Sequence, residues 1–181
     1  MNIGKVRCGL EELVALFLTT SEAEHNRMMT GLHRHRYIHG SLLHQALFSA
    51  DGISTSMLSI KTGAFCKTNW RGKNERWCYV ELLEVHEATD RVILTMDSLP
   101  EEIGAGLDAT KYARPLTNVR MVCVLDKAED LAPGKGLVDV ACYAEFRAVS
   151  KDSAVEVTKS MKRRLLALCK MSSNIQHVST R

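Results

Sequence analysis

Leu32-His33-Arg34-His35-Arg36-Tyr37-Ile38-His39-Gly40, with His44 just beyond, is the stretch whose residue types come nearest to a chemical site. His35 and His39, four apart, would share a helix face, and imidazoles at such spacing can hold zinc. The charges oppose it. No carboxylate lies between Glu24 and Asp51, while Arg34 and Arg36 interleave with the imidazoles and would repel a divalent ion. The stretch therefore reads as a basic contact surface that gains charge near neutral pH, with plain packing of the rings as the alternative and no metal site expected. Like-charged neighbours should hold His33, His35 and His39 below the ordinary imidazole value of about 6.5.

Catalytic motifs are absent elsewhere. Gly134-Lys135-Gly136 lacks the spacing of a phosphate loop, Gly104-Ala105-Gly106 does not extend to a dinucleotide fingerprint, and no serine sits in a G-x-S-x-G elbow. No enzyme activity, no cofactor and no small-molecule substrate are expected.

The charge is laid out in blocks. Residues 27–76 hold eight Lys/Arg against Asp51 and Glu75, residues 81–111 hold eight carboxylates against two bases, and residues 151–181 hold seven bases against Asp152 and Glu156. A net charge of +3 thus conceals two basic surfaces and an acidic one. Arg34, Arg36, Arg71, Lys73 and Arg76 make up the first basic contact surface. Lys159, Lys162, Arg163, Arg164 and Lys170 form the second, suited to anionic membrane or phosphate. Glu84, Glu87, Asp90, Glu101 and Glu102 provide an acidic surface for self-association.

These surfaces need elements to carry them. The chain of 181 residues suits one globular domain, 1–181, with a tail of about ten flexible residues. Residues 6–18 have mixed periodicity and read as a strand. Ser21-Glu22-Ala23-Glu24 is a capping box, predicting a helix over 22–33 that buries Met28, Met29 and Leu32. Gly40-Ser41 reads as the start of a second short helix carrying Leu42, Leu43, Ala46 and Leu47. Strands follow at 53–62, 64–68, 76–85, 91–96, 119–125 and 137–149, the last alternating apolar and polar side chains. Ser153-Ala154-Val155-Glu156 opens a basic amphipathic helix over 154–171, with Val157, Met161, Leu165 and Leu168 on its buried side. The fold class is α+β, a mostly antiparallel sheet flanked by helices. Trp77 reads as core, and Trp70 as core or as a stacking residue at a hairpin tip.

Six dispersed cysteines without a CxxC pair, most of them in apolar runs, are how reduced thiols look inside cells. The longest apolar run, residues 13–18, is far below the roughly 20 residues a bilayer requires, and residue 1 is not followed by a leader pattern. An intracellular, non-spanning protein is expected.

The order of strand, helix, then His35-Arg36-Tyr37-Ile38-His39-Gly40 leading to Leu47-Phe48-Ser49-Ala50-Asp51-Gly52 resembles the first part of the rhabdovirus matrix protein domain. Tyr112-Ala113-Arg114-Pro115, running into strand 119–125 and the acidic residues Asp126, Glu129 and Asp130, resembles a later part of it. The similarity is to the compact matrix proteins of plant-infecting, cytorhabdovirus-like members. It implies a virion structural protein in host cytoplasm and at membranes, one that self-associates, binds anionic membrane peripherally and contacts the nucleocapsid. Two other readings stay open: an RNA-binding protein, and a hotdog-fold acyl-thioester enzyme whose central helix would be the segment after Gly40, although only Asp51 could serve it as carboxylate.

Overall fold

The computed structural model describes residues 1–49, 54–66, 74–100, 113–128, 136–147 and 151–169. Among these described residues nine strands form one curled, mostly antiparallel sheet, joined by three α-helices. The fold class is α+β, as the alternation of elements predicted.

Strand β1 (Asn2–Arg7) is followed at once by helix α1 (Leu10–Phe17), so residues 6–18 are not one strand. The helical signal is Leu10, Leu13, Val14 and Phe17, which recur at i, i+3, i+4 and i+7 and put Leu13 and Phe17 in the core. Helix α2 (Glu22–His33) starts where the capping box placed it: Ser21 Oγ accepts from the Glu24 N–H at 3.2 Å. It stops at Arg34, whose φ of 52° cannot continue a helix, and a short 3-10 turn (Arg34–Arg36) leads into β2 (Tyr37–His39).

The second predicted helix is instead a strand, β3 (Leu42–Phe48). Its apolar residues are largely exposed, with Leu43 at 53% and Leu47 at 68%, so no core face was available to favour a helix there. This also removes the helix that an acyl-thioester site would have needed. The two strands expected at 53–62 and 64–68 are one, β4 (Ser54–Phe65), running through Gly63 without a break. It pairs residue for residue with β5 (Asn74–His86), from Ser54↔His86 to Phe65↔Glu75. Strands β6 (Arg91–Ser98), β8 (Val119–Lys127) and β9 (Leu137–Phe146) fall where expected, and short β7 (Ala113–Leu116) adds a parallel pairing to the start of β5. The order is β1-β9-β8-β6-β5-β4-β2, with β3 also on β4.

Period-two alternation sets the inner face. Met57, Phe65, Trp77, Tyr79, Leu83, Leu94, Met121, Cys123 and Val140 point one way and are buried. Helix α3 (Lys151–Cys169) packs against that face, burying Met161, Leu165 and Leu168. Cys8, Cys78, Cys123 and Cys142 are buried free thiols, Cys66 is exposed, and the Cys169 side chain lies outside the described residues. Among the described residues no helix is long and apolar enough to cross a membrane.

Gly40 joins β2 to β3 in a turn held from three sides. Its N–H donates to Asn26 Oδ1 at 2.9 Å, its carbonyl accepts from Asn26 Nδ2 at 2.8 Å, and the Tyr37 hydroxyl donates to the same Asn26 Oδ1 at 2.7 Å. A Cβ at Gly40 would lie 2.1 Å from the Thr62 carbonyl oxygen and 2.5 Å from the Tyr37 hydroxyl. Gly40→Ala should therefore lower the unfolding free energy by about 3 kcal/mol, the upper part of the usual overpacking range, measured by urea denaturation. Asn26→Ala should cost less, because it deletes hydrogen bonds without forcing backbone apart.

Candidate ligand-binding site beneath the C-terminal helix

Five successive inner-face positions of β5 are Glu75, Trp77, Tyr79, Glu81 and Leu83, so the strand places two aromatics between two carboxylates on the side that α3 covers. Trp77 and Tyr79 stack with ring centroids 4.2 Å apart, and the Trp77 Nε1–H donates to Ser98 Oγ at 2.9 Å. Each carboxylate anchors a polar cluster.

The first cluster is Lys61 and Glu81. Lys61 Nζ donates to Glu81 Oε1, and their side chains are 0% and 3% exposed. Ser59, directly opposite Glu81 in the register, is fully buried with a hydroxyl that has no hydrogen-bond partner. The second is built on Glu75, which accepts from the Ser160 hydroxyl of α3 and from Arg114 Nη2 at 3.4 Å. Arg164, also on α3, brings Nη2 to 3.6 Å from Glu75 Oε2 and lays its guanidinium 3.6 Å over the Phe65 ring. Burial pulls the Arg164 pKa down to about 10, with Glu75 opposing that shift, so it remains a cation at neutral pH.

Between α3 and the sheet lies a partly open cavity of about 30 Å³. Phe17, Met28, Met29, Leu94, Met96 and Met121 supply its apolar lining, and His33, Tyr79, Glu81 and Arg164 its polar lining. Such a volume holds about one water. Thioether side chains are unbranched and repack readily, so a wall with four of them can widen at less cost than one of branched residues.

The expected site residues divide. Lys159, Lys162 and Arg163 are exposed on the outer face of α3, as a contact surface requires. Arg164 is not among them: it is 5% exposed and inside the fold. The reason is helical spacing, for it follows Met161 by three and precedes Leu168 by four, which sets it among the buried residues. Arg76 is also buried, at 8%, lying near the start of β5 between Ala64 of β4 and Pro115 of β7. Arg34 is exposed and Arg36 half-buried. Arg71, Lys73, Lys170, Glu101, Glu102 and Trp70, with both glycine-rich turns apart from Gly136, lie outside the described residues.

Part of the acidic block is paired within the chain. The register sets Asp97 opposite Arg120 and Arg91 opposite Asp126, with Arg120 Nη2 2.7 Å from Asp97 Oδ2, and Lys127 Nζ reaches Asp90 Oδ2 at 3.1 Å. Asp90 is thus paired, though both side chains of that pair are exposed. Glu87 is exposed and Glu84 half-buried.

The histidines do not act as a group. His33 packs edge-on to Phe65 with centroids 5.1 Å apart and titrates near 3, because burial, then Arg164 and Arg36, oppose its charging. Desolvation, more than neighbouring arginines, explains its depression, and His33 stays neutral between pH 7 and 5.5. His39 Nε2 lies 3.6 Å from Glu22, while His35 and His44 are exposed. No cluster of three or more His, Cys, Asp or Glu suited to a metal occurs among the described residues. Among the described residues the histidine with no exposed surface is one outside the cluster, His25, with Nε2 3.1 Å from the Thr62 carbonyl and Nδ1 unpartnered. It precedes Met28 by three, Met29 by four and Leu32 by seven, so the helical pattern already put it on the inner side.

No protein-family model and no curated protein matches the chain. Solved structures do. The human StarD13 (DLC2) lipid transfer and protein localization domain aligns with a TM-score of 0.57 over 94% of this chain and 74% of that one, at 9% identity. The fold is of that domain's kind. TTHA0849 from Thermus thermophilus aligns at 0.49 with 10% identity, over 98% and 93% of the two chains, and Ara h 8.0201 at 0.44 with 10% identity, over 97% of each. None of the three is a viral matrix protein.

Proposed function

We propose that this protein binds one long-chain apolar or amphipathic molecule between its sheet and α3, and that it exchanges this molecule with anionic membranes that α3 touches from outside. The observation that supports the reading is the methionine-lined cavity at the seam between α3 and the inner face, where displacement of one helix would enlarge it. The likeness in fold to a domain named for lipid transfer agrees with it. Peripheral contact through Lys159, Lys162 and Arg163 is retained from the charge pattern, without Arg164. This reading departs from the expectation that no small molecule would bind.

The test uses a W70F variant, which leaves Trp77 as the single tryptophan. Titration with a pyrene-labelled long-chain alcohol and with the matching acid should quench Trp77 to a stoichiometry of one. Release of the probe to vesicles containing anionic lipid should slow several-fold in K162E/R163E while affinity in solution holds, since about 1 kcal/mol of attraction per basic residue is reversed at the surface. Trp77 unaffected by both probes would reject the proposal.

A further inference from the structure

Arg164 is a buried cation with donors left over. Neither Nε nor Nη1 has a hydrogen-bond partner, and Nη2 faces Glu75 at 3.6 Å, beyond hydrogen-bond reach. A guanidinium presents two forks, Nε with Nη2 and Nη1 with Nη2, so each fork here has an unfilled donor. Unfilled donors on a buried charge are costly to a fold, and the side chain borders the cavity. Glu75 does not supply the missing acceptors: its oxygens accept from Ser160 and Arg114, and neither Nε nor Nη1 has an acceptor within reach.

We propose that Arg164 anchors the head group of the cavity's ligand, and that the ligand is a single-chain amphiphile ending in a carboxylate. This rests on the ligand-binding reading above and adds the chemical class. The carboxylate would take a fork of the guanidinium, with two parallel N–H donors to its two oxygens, and the chain would run along the methionine side of the cavity. Charge selects a monoanion. Among the described residues Arg164 is the one Lys or Arg in the cavity lining, and Glu81, the carboxylate of that lining, is already matched by Lys61. A dianionic phosphate head would place a second negative charge near Glu75 and Glu81, with no further cation in the cavity lining to meet it. A hydroxyl head offers a single neutral oxygen, where a carboxylate offers two charged ones to the fork.

The experiment compares a C16 fatty acid with the C16 primary alcohol at pH 8, each titrated against Trp77 fluorescence in the W70F background. Arg164 as anchor predicts that the acid binds at least tenfold more tightly. R164M, which removes both the charge and the fork while Glu75 keeps Ser160 and Arg114 as partners, should bring the acid to the level of the alcohol. R164K, which keeps the charge but not the fork, should retain part of the preference. Equal binding of acid and alcohol by the parent protein, or a preference that survives R164M, would overturn the anchor while leaving the cavity reading in place. Binding of neither would overturn both. Should R164M fail to fold, the acid-to-alcohol ratios of the parent and of R164K decide the matter.

Discussion

Glu81→Ala should destabilise the protein by about 3–5 kcal/mol, because it leaves the Lys61 ammonium, fully buried on β4, without its counter-charge. No outward snorkelling path is open to that side chain, which points to the inner face of the sheet beneath α3. Ser59 and Tyr79 flank the pair without replacing a carboxylate. The companion result is more telling. In Lys61→Met/Glu81→Leu both charges go and the space is refilled, so stability should return to within about 1 kcal/mol of the parent or exceed it. Urea denaturation of the two single variants and the double variant gives the cycle. Single variants that lose less than about 1 kcal/mol would mean that the two groups are hydrated in the folded protein. The pair adds little net stability on this account, which makes it a candidate for polar contact with a ligand rather than for holding the fold together.

Acidification should begin to destabilise the protein before its carboxylates titrate, through His25 and His33. Burial is the first cause for both, holding His25 near 4 with Lys61 contributing, and His33 near 3 with Arg164 and Arg36 contributing. Both folded values lie below the unfolded value of about 6.5. Above pH 6.5 neither state takes up the proton and stability is whole. Between 6.5 and about 4 the unfolded chain binds protons that the folded one refuses, so each imidazole removes about 1.4 kcal/mol per pH unit. For fully buried His25 alone the loss reaches about 3 kcal/mol by pH 4. The urea midpoint should therefore fall steadily from pH 7 to pH 5, with a shallower slope in His25→Gln. A midpoint that does not move over that interval would contradict burial of these rings.

Much of the fold was legible because it depends on short-range rules. The Ser21 cap, the start of α2, strands β6, β8 and β9, and the apolar stripe of α3 follow from side-chain spacing within one element. The segment after Gly40 misled for a physical reason: its leucines could satisfy a helical pattern, but β4 offers it a free edge, and the Asn26 latch and close approach of Thr62 fix the turn that directs it there. That competition is between residues far apart in the chain. The site was half visible. Helical spacing already put Arg164 with Met161 and Leu168, and His25 with Met28 and Leu32, whereas their charge or polarity argued for the surface.

By itself the sequence determined the α+β class, the approximate limits of α2, β6, β8, β9 and α3, and the sign of each charged segment, since propensity, periodicity and charge are properties of neighbours along the chain. Only the tertiary structure decided which charges reach water. Pairing β4 with β5 sealed Lys61 against Glu81, pairing β6 with β8 set Asp97 against Arg120, and docking α3 buried Arg164 over Phe65. Charge acts according to dielectric and distance, and both are set by what packs on top of a residue rather than by what precedes or follows it.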